Sequence, residues 1–207
     1  MMAIITKITP QKKNQERCNL YLDDEFVCAI SMFVVIKNGL MVGKEISKDK
    51  LLQLVFESEK EKAFNYTVDY ICKYVPSKKQ MITKLYQKKY TKQIVDYVIS
   101  KCEEYGYIDD EKYAQSYAFQ NRKLKGKLRL EQELIKKGIS KKIIDEVLKD
   151  YNEEDGCLVL ARKKALNKDL NDPKVYAQLV RFLQYRGYDW EQIKEAIDKI
   201  KDEGKDD

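Results

Sequence analysis

The sequence contains no histidine. That removes the side chain most used for general acid–base work and for activating a nucleophile. It also removes the imidazole half of many zinc sites. The five cysteines (Cys18, Cys28, Cys72, Cys102 and Cys157) are scattered, and none stands in a C-x-x-C pair. They read as reduced, mostly buried thiols. With Cys18 and Cys28 on two strands joined at Asp23-Asp24, side-chain alternation puts them on opposite sheet faces. No P-loop, Gly-rich dinucleotide turn or metal-ligand spacing occurs. No apolar run approaches the ~20 residues needed to span a bilayer. The opening MMAIITKITP lacks the charged-then-apolar layout of a secretory signal. These absences lead us to expect a cytoplasmic, non-enzymatic protein with no membrane contact, catalytic residues, cofactor or metal.

What is present is enough for a folded, charged surface. Of 207 residues, 43% are hydrophobic and 36% charged, and the formal net charge of +6 modestly favours an anionic partner. Carboxylates fall in mixed runs such as Glu57 to Glu61 and Glu153 to Asp155, which read as solvated helix faces or caps.

The first ~45 residues read as a small β-rich module. Ile4 to Ile8, Asn19 to Leu22 and Phe26 to Ile30 are strand candidates, and Asp23-Asp24 is a two-residue hairpin turn. Phe33 to Lys37 fits either state, and Gly39 and Gly43 mark turns. From Ser47 onward the pattern is helical. Ser47 to Tyr74 is either one long helix or two, broken at a capping box that starts at Ser58. Ser77 to Gln80, Asp109-Asp110 and Asp172-Pro173 are helix starts.

An internal repeat organises the helical part. Leu85, Leu134 and Leu183 recur every 49 residues. In the same register follow Lys89, Gly138 and Gly187, then Tyr90, Ile139 and Tyr188, then the cap residues Thr91, Ser140 and Asp189. Each unit is thus a helix, a turn closed by Gly or Lys, an apolar residue, an N-cap and a helix. An earlier helix opens each unit, with Ala63, Ala114 and Ala161 at comparable places. The expected fold is mainly α: an elongated array of three three-helix repeats behind a small N-terminal β-rich module. The expected boundaries are 1–46 for the module, 47–109, 110–155 and 156–201 for the repeats, and 202–207 for a frayed tail.

Three basic stretches lie in comparable parts of successive repeats. The first holds Lys78, Lys79, Lys84 and Lys88; the second runs from Arg122 through Lys123, Lys125 and Lys127 to Arg129; the third is Arg162, Lys163 and Lys164. In the first two, no acid interrupts the run. Stacked repeats would align them as a stripe suited to a phosphate backbone or an acidic groove. Tyr86, Tyr90 and Tyr117 are candidates for interleaved stacking. With no acid inside the second stretch, its charges are expected to contribute little to stability.

The sequence resembles the RecX family of recombinase regulators. The resemblance is carried by Glu16 to Phe26, by Gly106 to Ala114, by Asn121 to Gly126 with Glu133 to Ile139, and by Leu183 to Asp189. It departs from the family pattern at Lys89, where glycine is expected, and at the Asp-Asp hairpin turn. The resemblance implies a mainly negative modulator of the RecA recombinase, binding in the groove of the RecA–DNA filament and limiting its extension. It further implies roles in recombination, DNA repair and the SOS response, contact with single-stranded DNA, and a monomer. The rival reading is a direct DNA-binding helical regulator that acts without RecA. A peptide-binding helical scaffold is the other alternative.

Overall fold

The computed structural model describes residues 2–12, 14–151 and 155–203. The acidic residues Glu153 and Glu154 and the end of the expected frayed tail, 204–207, lie outside them. Among the described residues the order begins β1 (Met2–Gln11), β2 (Asn14–Leu22), β3 (Glu25–Ser31), α1 (Met32–Lys37) and β4 (Glu45–Ser47). It continues with α2 (Lys48–Tyr74), α3 (Lys78–Gln87), α4 (Lys92–Glu104), α5 (Asp110–Asn121), α6 (Lys127–Lys136) and α7 (Lys141–Val147). The chain then forms α8 (Gly156–Ala165), α9 (Pro173–Arg186) and α10 (Trp190–Glu203). Two compact units result: Met1–Val75 with Met81–Ile108, and Pro76–Gln80 with Asp109–Asp207.

In the first unit the strands form an antiparallel sheet in the order β3-β2-β1-β4. Asp23 and Asp24 take φ of 46° and 66°, both in the left-handed region that a two-residue hairpin turn requires. The aspartates offset that strain locally. Ile4 N–H donates to Asp23 Oδ1 at 3.0 Å, and Asp24 N–H donates to Thr6 Oγ1 at 2.9 Å. Below the turn Tyr21 faces Phe26, but Leu20 faces Cys28, so β3 carries one extra residue there. This bulge inverts the side-chain parity. Cys28 therefore shares a face with Leu20 and Cys18, and both cysteines pack on one core. The expectation of opposite faces is overturned, because a one-residue shift swaps every side chain beyond it.

Phe33 to Lys37 forms the short helix α1, and α2 runs unbroken through Ser58. Ser58 is buried, and its hydroxyl accepts from Ser31 N–H at 2.7 Å, so it ties sheet to helix instead of starting a new one. Leu51 and Leu54 at the start of α2 complete the sheet's core. Ala63 further along packs with Met81, Leu85, Val95 and Val98 of α3 and α4. Burial raises the Cys18 and Cys28 thiols and pushes Cys102 up to about 11, which keeps all three protonated and unreactive.

The 49-residue register has a direct structural meaning. The carbonyls of the buried Leu85, Leu134 and Leu183 each accept the N–H of the apolar residue after the turn: Tyr90, Ile139 and Tyr188, at 3.3, 3.1 and 3.3 Å. These are the six-to-one bonds of a Schellman closure. The turn residues Lys89, Gly138 and Gly187 all have positive φ: 63°, 87° and 91°.

The difference between lysine and glycine at this position follows from what the turn touches in the second unit. A Cβ on Gly138 would lie 2.4–2.5 Å from Lys79 side-chain carbons, and Ser77 Oγ donates to Lys137 O at 2.7 Å. A Cβ on Gly187 would lie 2.4 Å from Arg129 N and Cβ, and Gly126 N–H donates to Arg186 O at 2.9 Å. Each of these two turns therefore rests on the first turn of the preceding repeat's second helix. Repeat one has no preceding repeat, and Lys89 stands there with its side chain exposed.

Gly138→Ala and Gly187→Ala are each expected to cost roughly 2–4 kcal/mol, left-handed strain adding to overpacking. Lys89→Gly should stay within about 1 kcal/mol of the parent. Urea melts followed by circular dichroism measure all three; equal effects at the three positions would refute the docking explanation.

Candidate functional site

The second basic stretch occupies the α5–α6 connection and the first turn of α6. Asn121 ends α5, with its amide donating to Tyr117 O at 2.8 Å and its carbonyl accepting Leu124 and Lys125 N–H. Tyr151 OH donates to Lys125 O at 3.0 Å, and Gly126 N–H is held by Arg186 O. The loop is thus pinned from both sides, and α6 starts at Lys127.

Its five cations divide into two kinds. Lys125 Nζ lies 2.6 Å from Glu133 Oε2 and 3.1 Å from Tyr117 OH, and Arg129 Nε lies 2.8 Å from Glu133 Oε1. Tyr117 OH donates to the same carboxylate at 2.6 Å. Partial burial alone would raise the Glu133 carboxyl. Hydrogen bonds from Lys125, Tyr117 and Arg129 outweigh it and bring the pKa from 4.5 down to about 2. This corrects the expectation that the whole stretch contributes little to stability: no acid interrupts the run, yet Glu133, one turn beyond it, anchors two of its members. The other three are placed differently. Arg122 is half-buried, its guanidinium 3.8 Å from the centroid of the exposed Phe119 ring and donating to Phe119 O at 3.0 Å, and Lys123 and Lys127 are exposed.

Lys127 and Arg129 sit in the first turn of α6, and Lys78 and Lys79 in the first turn of α3; neither turn contains an acid. A helix N-terminus favours negative charge, so this placement costs each helix a few tenths of a kcal/mol per exposed cation. At the start of α3 a carboxylate from another element is already in place: Asp110 Oδ1 accepts Lys78 N–H at 2.8 Å.

The remaining candidates are held differently. Lys79 Nζ reaches Lys136 O at 3.3 Å, so Lys78 and Lys79 lie beside the C-terminal end of α6. Lys84 and Lys88 sit over the rings of Tyr70 and Tyr66, at 5.5 and 5.3 Å. Arg162 is ion-paired with Glu203, Lys163 is exposed, and Lys164 lies 5.4 Å from the Phe182 ring. Of the tyrosines named from sequence, Tyr86 is exposed, Tyr90 is half-buried with its hydroxyl pKa raised by burial, and Tyr117 is committed to Glu133. Sequence reasoning missed Glu133, although its i,i+4 spacing from Arg129 was visible. It also missed Tyr66, Tyr70 and Tyr74, which share one face of α2 at the same spacing. Among the described residues no group of His, Cys, Asp and Glu is arranged to hold a metal, and no helix is long and apolar enough to cross a membrane.

Comparison with known proteins agrees along the chain. Residues 3–47 match the regulatory protein RecX N-terminal domain, 109–148 the RecX second three-helix domain, and 152–197 the RecX third three-helix domain. The chain is 33% identical over 202 residues to the regulatory protein RecX of Clostridium tetani, covering 95% of this chain and 94% of that one. It is 32% identical to that of Bacillus subtilis, covering 100% and 80%. A crystal structure of regulatory protein RecX superposes with a TM-score of 0.69 at 25% identity, covering 93% of this chain and 99% of that one. RecX from Lactobacillus salivarius shares the fold, with a TM-score of 0.59 at 21% identity over 69% of this chain and 96% of that one.

Glu133 supplies a pH-dependent test. Its folded pKa is depressed, so its contribution is fully present above about pH 4.5 and is lost as pH falls through about 2. Glu133→Gln should lower stability by roughly 1–3 kcal/mol at neutral pH. The gap between parent and variant, read from melts, should narrow from pH 4.5 downward; a gap independent of pH would contradict the assignment.

Proposed function

The chain belongs to the RecX family of regulatory proteins, and from that premise we propose that it modulates the RecA recombinase without performing chemistry itself. In this reading it acts in the cytoplasm as a monomer, binds the groove of the RecA–DNA filament and limits filament extension or activity. Recombination, DNA repair and the SOS response are the processes it would damp. Single-stranded DNA is the second partner.

The observation that carries the reading is the density of cations, Arg122, Lys123 and Lys127, on and beside a connection pinned at both ends. A pinned loop loses little entropy when it binds. Lys78 and Lys79 add a second cationic helix start. Lys84, Lys88, Lys163 and Lys164 extend the candidate surface, and Arg162 contributes less because Glu203 neutralises it. Lys125 and Arg129 belong to the scaffold that holds the triplet, through Glu133.

Co-sedimentation with RecA filaments on single-stranded DNA, beside DNA alone and across a salt series, tests this. The variant Arg122→Ala/Lys123→Ala/Lys127→Ala should remain folded and bind filaments more weakly. Its slope of log affinity against log salt should flatten by up to ~1 per lost phosphate contact. Binding to DNA that RecA neither strengthens nor requires would favour the direct DNA-binding regulator. Undiminished filament binding by the variant would remove the basic stretch from the interface.

A further inference from the structure

The aromatic face of α2 is not explained by the basic stretches. Tyr66, Tyr70 and Tyr74 follow one another at i,i+4, with ring centroids 6.1 and 4.7 Å apart and planes inclined by 35° and 41°. Tyr66 and Tyr70 rest one side on the repeat-one core, whereas Tyr74, in the last turn, is 65% exposed. At the exposed end of this row the core does not dictate an aromatic side chain.

Two lysines lie over the rings. Lys88 Nζ lies 5.3 Å from the Tyr66 ring and Lys84 Nζ 5.5 Å from the Tyr70 ring. The arrangement has a counterpart in repeat two that sharpens the contrast. There Lys137, 49 residues after Lys88, sits 4.7 Å from the Tyr117 ring. The residue 49 positions after Lys84 is Glu133, which binds the Tyr117 hydroxyl and Lys125. Repeat two thus keeps a cation over its ring and adds a carboxylate at the hydroxyl. In repeat one lysine stands in place of that carboxylate. Around Tyr66 the charge is mixed, with Glu59, Glu61 and Asp69 lining the same groove as Lys62 and Lys88.

We propose that Tyr66, Tyr70 and Tyr74, flanked by Lys84 and Lys88, form a stacking platform for the bases of single-stranded DNA. Four residues of helix rise by about 6 Å, so the three rings offer a row about 12 Å long. Bases stack on aromatic rings without sequence preference while lysines meet the phosphates, the combination that suits non-specific single-strand binding. Duplex DNA hides its base faces and offers nothing to the rings. The proposal takes its DNA partner from the reading above but does not need RecA, so the two fail separately.

The test uses the full chain and a fluorescein-labelled oligothymidylate, titrated across a salt series, with a duplex of equal length and RecA filaments alongside. Tyr74→Leu keeps an apolar side chain and removes the π-face; Tyr74→Phe restores the face without the hydroxyl. Stacking is worth about 1–3 kcal/mol per base, so Tyr74→Leu should weaken oligothymidylate binding roughly 5- to 100-fold. It should leave the salt slope and duplex binding unchanged, and Tyr74→Phe should bind like the parent. Lys84→Ala/Lys88→Ala should instead flatten the slope, by about 0.7 per lost phosphate contact. Unchanged affinity in Tyr74→Leu, an equal loss on duplex, or no oligothymidylate binding by the parent would each overturn the platform. None of these bears on filament binding, whose outcome is read in the third arm.

Discussion

Much of the second unit depends on one steric constraint: a helix-closing turn must rest backbone against side chain, or backbone against backbone, on the start of another helix. At Gly187 and Gly126 the approach leaves no room for a Cβ on either residue. At Gly138 the obstacle is the side chain of Lys79. The left-handed φ and the missing Cβ are separate demands, and only glycine meets both. Lys89 meets the first alone. The departure from the repeat pattern at position 89 thus marks where the array of repeats begins.

That contact also sets the functional geometry. Because Gly126 N–H is bonded to Arg186 O, the start of α6 is fixed. Glu133 on the same helix then draws in Lys125 and Arg129. Arg122 packs instead on Phe119. A run of cations that looks uniform as a string is thus divided, one carboxylate setting a structural pair apart from the rest. The structural pair is partly withdrawn from solvent, where charge-assisted hydrogen bonds are strong.

Repeat one makes a different use of the same scaffold. Ammonium groups sit over tyrosine rings in both repeats, and repeat two adds Glu133, which ties the Tyr117 hydroxyl into an ion pair, where repeat one has Lys84. Repeats conserve the contacts that hold each unit together, namely the buried leucines and their closing bonds. Positions outside that set are free to differ, and there the units diverge in chemistry.

The repeat, the helix starts at Ser77, Asp109 and Asp172, and the hairpin turn at Asp23-Asp24 were legible in the sequence. Each is decided within a few residues of chain, by capping bonds, dihedral preference and local periodicity. The family resemblance was legible for a related reason, since its motifs lie on those same turns. Tertiary structure alone decided the rest. A bulge with no residue signature put Cys28 on the face of Cys18. Ser58, with the spacing of a helix start, became a buried acceptor because β3 needed one there. The fates of Lys125 and of the α2 tyrosines turned on which side chains other helices brought to them. Local rules see neighbours in sequence, whereas burial and ion pairing are set by neighbours in space, and the folded chain supplies those only once its elements have packed.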